Sequence, residues 1–185
     1  MAPRTAPMIW VCAVPIALVG CGSSHVMESP AARLCQPQAR QLVAQTLAVH
    51  PGQITEVPGT GNNAEPQCSF QARLSGGGRF DVTVNVDPSP QPYTVLSRTI
   101  VEGQQVFSPT RLTPAPVAVL HLGLLASWFP GPSHLMSTDG TRLVTTTVMW
   151  SGAKQAREVR LATRLSRLYL GKLRPALAHG APAGG

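Results

Sequence analysis

Between Cys68 and Val86 the side chains change character at every second residue, and this period of two constrains the fold more than any other feature of the chain. Cys68, Phe70, Ala72 and Leu74 alternate with Ser, Gln and Arg; Ser75 to Gly78 turn the chain; Phe80, Val82, Val84 and Val86 then alternate again. Successive strand residues point to opposite faces, so the pattern predicts an antiparallel hairpin with one buried face. A second hairpin is expected where Asp139-Gly140 separates His134 to Ser137 from Arg142 to Trp150, because Asp-Gly suits a tight two-residue turn. In its second strand Leu143, Thr145, Thr147 and Met149 share one face, and Val144, Thr146, Val148 and Trp150 share the other.

Helical spacing brackets these strands. Pro37 to Val49 places Ala39, Leu42, Val43 and Leu47 on one arc, and His50-Pro51-Gly52 stops it. Ala153 to Leu173 is the longest predicted helix, with a core stripe of Leu161, Leu165 and Leu168 widened by Ala162, Tyr169 and Leu173. Between them the chain predicts a short edge strand at Ile54 to Val57, a loop at Pro58 to Asn63 and a rigid connection at Pro88 to Pro92. Thr94 to Phe107 is read as an irregular segment ending in a strand, and Ser108 to Pro116 as a Pro-rich loop. Val117 to Leu122 is expected as a buried strand, with a turn at Gly123, a strand at Leu125 to Phe129 and a turn at Pro130-Gly131-Pro132. The sum is an α+β fold: a mostly antiparallel sheet covered on one face by an N-terminal helix and a long C-terminal helix.

The first residues address location. Arg4 precedes an apolar run from Met8 to Leu18, which is too short to span a bilayer at about 17–25 residues and fits a signal peptide. Leu18-Val19-Gly20-Cys21 resembles the bacterial lipobox, which implies cleavage after residue 20 and a diacylglycerol on the Cys21 sulfur. The expected organisation is a lipoprotein signal peptide at 1–20, a flexible tether at 21–33, one extracytoplasmic α+β domain at 34–174 and a disordered tail at 175–185. The 165 residues from Cys21 onward suffice for one domain with a real core. Cys12 departs with the signal, leaving Cys35 and Cys68 as an even pair in a chain that meets an oxidising compartment. A disulfide is the economical reading; two free thiols or metal ligands are the alternative.

The lipobox, a cysteine just before a short helix, Cys68-Ser69-Phe70, the run from Gly123 to Trp128, the late Asp-Gly hairpin and the terminal helix together resemble small actinobacterial lipoproteins of a family of unknown function. The resemblance implies an envelope location and one disulfide, and it brings no catalytic residues.

Chemistry-bearing constellations are sparse. Gly-x-Ser-x-Gly is absent, and Ser133 beside His134 fits a polar turn better than a nucleophile and its base. Only 8 acidic residues exist, with Asp81, Asp87 and Asp139 at solvent-facing or turn positions, so a catalytic carboxylate pair is not expected. His25, His50, His121, His134 and His179 show no metal-ligand spacing, and Gly76-Gly77-Gly78 leads into a strand and not a phosphate-cradling helix. No metal and no cofactor are expected. Trp128 to Pro132 reads either as an exposed aromatic contact or, more ordinarily, as core at a strand end.

Charge is the exception. From Lys154 to Arg174 stand seven basic residues and one acid, Glu158, and Arg157, Arg160, Arg164 and Arg167 fall on one arc of the last helix. A solvated outer face is the plain reading. Beside a membrane the same arc would attract anionic lipid, anionic envelope polymer or an acidic protein; nucleic acid is not expected for an exported chain with few interleaved aromatics. The functional expectation is a lipid-anchored cell-membrane module that binds without catalysis through those four Arg. The alternatives are a carrier of a small apolar ligand between helix and sheet, or a hydrolase.

Overall fold

The structure, a computed structural model, describes residues 29–61, 64–106 and 114–171. The expected signal peptide, Cys21, most of the tether, part of the Pro-rich loop, Leu173 and the tail fall outside these residues.

The two expected hairpins form the middle of a seven-stranded sheet in which every pairing is antiparallel. In chain order the strands are β1 (Thr55–Thr60), β2 (Pro66–Arg73), β3 (Arg79–Asp87), β4 (Val117–Ala118), β5 (Leu125–Phe129), β6 (His134–Thr138) and β7 (Leu143–Trp150). Across the sheet they run β1-β2-β3-β7-β6-β5-β4. The helices are α1 (Pro37–Leu47), α2 (Pro92–Val106) and α3 (Gln155–Gly171). The architecture is α+β, as expected.

Register decides which side chains meet. Cys68, Val84, Thr146, Leu135 and Trp128 form one row across five strands, and Phe70, Val82 and Val148 form the next. Paired residues share a face, so these rows make one continuous apolar surface. Ala39, Val43 and Ala44 of α1 and Leu161, Ala162, Leu165, Tyr169 and Leu170 of α3 pack on it. The alternation of β7 resolves in favour of Val144, Thr146 and Val148 as the inward face. Two polar residues of this core, Thr146 and Ser166, are fully buried and satisfy each other through a hydroxyl contact of 2.9 Å.

A disulfide joins Cys35 to Cys68. It ties the residue just before α1 to the core face of β2, and the tyrosine hydroxyl of Tyr169 donates to the Leu34 carbonyl beside it. The chain is already fixed before residue 34: Ala32–Leu34 form a 3-10 turn and Ala31 is buried, so the flexible tether expected through Arg33 ends earlier.

Three other expectations are corrected. The segment read as irregular and ending in a strand, Thr94 to Phe107, is helical over its described residues as far as Val106: α2 begins at Pro92 and lies against β5, β6 and β7. Phe129 and Leu143, on the face opposite the α1 and α3 rows by register, are buried, as is Leu96 of α2. Local preference misled here, because Thr94, Val95, Thr99, Ile100 and Val101 lower helix propensity, whereas Pro92, Leu96, Ile100 and Gly103 recur at helical spacing. Val117 to Leu122 is not a buried strand: only Val117 and Ala118 pair, both exposed, before His121 and Gly123 turn the chain at positive φ. Gly123 is required there, since a Cβ would stand 2.3 Å from the Thr138 carbonyl oxygen. Finally, the loop expected from Pro58 is strand as far as Thr60, with Pro58 opposite Cys68; an edge strand tolerates a missing N–H on its free side.

Replacing both cysteines (Cys35→Ala with Cys68→Ala) frees a loop closed over a separation of 33 residues. In urea titrations the double variant is expected to lose about 3–4 kcal/mol of stability. An unchanged midpoint would show that the bond adds nothing to packing already complete.

Candidate functional site

The basic arc of α3 is built by the same periodicity that buries its other side. Leu161, Leu165 and Tyr169 face the sheet, which leaves Arg157, Arg160, Arg164 and Arg167 exposed. The structure then divides the four. Arg157, Arg160 and Arg164 line a cleft of ≈ 200 Å³ with Leu161 and with Thr46 of α1, while Arg167 is not part of its lining. Sequence reasoning placed the four Arg together and missed Thr46, because nothing in its neighbourhood announces that α1 docks beside α3.

Electrostatics favour an acceptor ligand in this cleft. The ion pair found among the described residues joins Arg40 and Glu56 at 3.4 Å, on α1 and β1, and none engages the α3 arginines. Glu158, the acid of α3, pairs with none of them among the described residues, and burial pushes its carboxyl pKa above the usual range. Arg157 lies over the Trp150 ring, 5.4 Å from its centre, and Trp150 meets Phe80 edge-on at 5.5 Å. This cation–π contact orients the guanidinium without neutralising it. Thr46 donates its hydroxyl proton to the Leu42 carbonyl at 2.8 Å, so the free donors of the cleft come from arginine.

The other candidates do not assemble. The Ser133 hydroxyl faces the Pro130 carbonyl at 3.5 Å, and His134 packs on Phe129 with ring centres 4.9 Å apart, its Nε2 buried without a partner. Asp81 binds Gln71 and Thr83, and Asp139 caps its own turn. Burial raises the Asp139 carboxyl pKa, but hydrogen bonds from Thr141 and Arg142 outweigh it and hold the group below its ordinary value. Among the described residues no three His, Cys, Asp or Glu side chains cluster as metal ligands, and no helix is long and apolar enough to cross a membrane. Trp128 is core, not an exposed contact.

Comparison with known family models, with curated proteins and with solved structures finds no match for this chain.

Burial lowers the His134 pKa below the ordinary imidazole value of 6.5. As pH falls the unfolded chain therefore takes up this proton first, so stability present above about pH 6.5 declines below it. Denaturant midpoints followed from neutral to acid pH are expected to show this decline in the native protein and a smaller one in His134→Gln. Equal acid sensitivity in both would remove His134 as its source.

Proposed function

We propose that this protein is a lipid-anchored, non-enzymatic module of a cell envelope, of the kind represented by the small actinobacterial lipoproteins it resembles. It binds an anionic component through the basic face of α3. Export through residues 1–20 and lipid on Cys21 rest on the apolar run and the Leu-Val-Gly-Cys ending. The Cys35–Cys68 disulfide fits an oxidising compartment. One diacylglycerol supplies two chains, the number needed for stable attachment.

The observation that carries the binding reading is the cleft ringed by Arg157, Arg160 and Arg164, none of which has a carboxylate partner among the described residues. The carrier alternative needs space between α3 and the sheet, and there Leu161, Leu165, Val84, Val148 and Trp128 are almost completely buried against one another. The hydrolase alternative needs a nucleophile with its base, and Ser133 and His134 each face other neighbours.

Residues 22–185, lacking the lipidated cysteine, are expected to sediment with phosphatidylglycerol vesicles or an anionic polymer at low salt and to be released at high salt. Changing Arg157, Arg160, Arg164 and Arg167 together to Gln should weaken binding by roughly 1 kcal/mol per charge in contact, or two to three orders of magnitude in all. Absence of low-salt binding, or binding indifferent to the four substitutions, refutes the proposal.

A further inference from the structure

We infer that the cleft between α1 and α3 recognises a single phosphoryl oxyanion, as a phosphate ester or free phosphate, through Arg157, Arg160 and Arg164. This deepens the proposed function and rests on the basic face being the binding surface. Its volume of ≈ 200 Å³ lies below the roughly 300–1,000 Å³ of sites for drug-sized ligands, which suits one compact group.

Donor count selects the group. Each guanidinium presents five N–H donors in a planar fork and accepts nothing. A carboxylate has two oxygens in a single plane, which suits a bidentate arginine along that plane better than three guanidinium groups approaching from different sides. Three arginines around one cleft match a tetrahedral group with at least three peripheral oxygens. Thr46 has committed its proton to Leu42, and Glu158 forms no ion pair with these arginines among the described residues, so neither competes for these donors. The apolar floor made by Leu161 lowers the local dielectric and strengthens each contact.

The arrangement also opposes the helix's own stability. Arg157 and Arg160 are three residues apart and Arg160 and Arg164 four, spacings at which like charges destabilise a helix by about 0.2–0.5 kcal/mol per pair. Arg157 further stands in the first turn of α3, where the helix dipole disfavours cations. A bound dianion reverses all of these terms together. Arg157 is already steadied over Trp150, so less side-chain freedom is lost when it closes on the ligand.

The test is titration calorimetry of the full chain in neutral detergent with inorganic phosphate at constant ionic strength. Saturable single-site binding is expected. Arg160→Gln and Arg164→Gln should each weaken it about tenfold or more, while Arg167→Gln, outside the cleft and screened by solvent, stays within about threefold. Arg164→Lys, which keeps the charge and loses the fork, should also weaken it. No saturable phosphate binding, an Arg167→Gln loss equal to that of Arg160→Gln, or an Arg164→Lys variant equal to the native chain overturns the inference in favour of a diffuse field. Two further arms identify the source, using nanodiscs of phosphatidylcholine with and without phosphatidic acid, whose headgroup is a phosphate monoester. A phosphate response suppressed by phosphatidic acid marks a lipid headgroup; an equal response in both marks a free phosphate or a soluble phosphate monoester. If phosphate fails while vesicles still retain residues 22–185, the inference falls and the proposed function stands. If phosphate binds while vesicles and polymer do not, the cleft stands as the binding part of the basic face, and attachment of that face to an extended anionic surface falls.

Discussion

The covalent link from Cys35 to Cys68 is the constraint on which the rest of the molecule depends, because it fixes a helix that has little else to hold it. The buried residues of α1 are Ala39, Val43 and Ala44, small side chains that remove little apolar area from water. Cys68, by contrast, sits fully buried in a row that crosses five strands. The bond therefore lends α1 the rigidity of the sheet. Two polar contacts assist it: Tyr169 donating to Leu34, and Arg40 paired with Glu56. Burial raises the Tyr169 phenol pKa above its ordinary value, with the Glu56 charge acting in the same direction, so this donor keeps its proton at neutral pH.

What α1 contributes in return is a wall. Without Thr46 alongside, the arginines of α3 would be a convex cationic stripe of the kind that solvates many helices, and each charge would act alone. With it, Arg157, Arg160 and Arg164 line a common concavity over a buried leucine. The distinction matters energetically, since exposed charges interact weakly through water whereas converging donors in a partly enclosed site act together. Function, on this account, is placed at the seam between the stapled helix and the best-packed one.

The parts of this fold that were legible in the sequence are those where one periodicity runs long enough to exclude the other. Cys68 to Val86, the Asp139-Gly140 turn and the Leu161-Leu165 stripe all meet that condition, and each yields the element it predicts. Where side-chain preference and burial disagree, the sequence misleads. The β-branched residues of α2 favour strand, yet Leu96 at full burial and Pro92 at the start are better served by a helix lying on the far side of the sheet. Pro58 marks a loop by composition but lies on an edge, where its missing donor costs no ladder bond. The arginine arc was readable from spacing alone. The cleft was not, because it needs Thr46 from a helix over a hundred residues away in sequence, brought in by a disulfide and a tyrosine hydroxyl.

The disulfide and the address at the N-terminus make one joint demand, that the chain fold where thiols oxidise. Alkylation of Cys35 and Cys68 in protein taken directly from intact cells, read by mass spectrometry together with the N-terminal peptide, examines both at once. The account predicts that neither cysteine reacts until reductant is added and that the N-terminal peptide begins at a diacylglycerol-modified Cys21. Two cysteines that alkylate without reduction, on a chain still carrying residues 1–20, would contradict it.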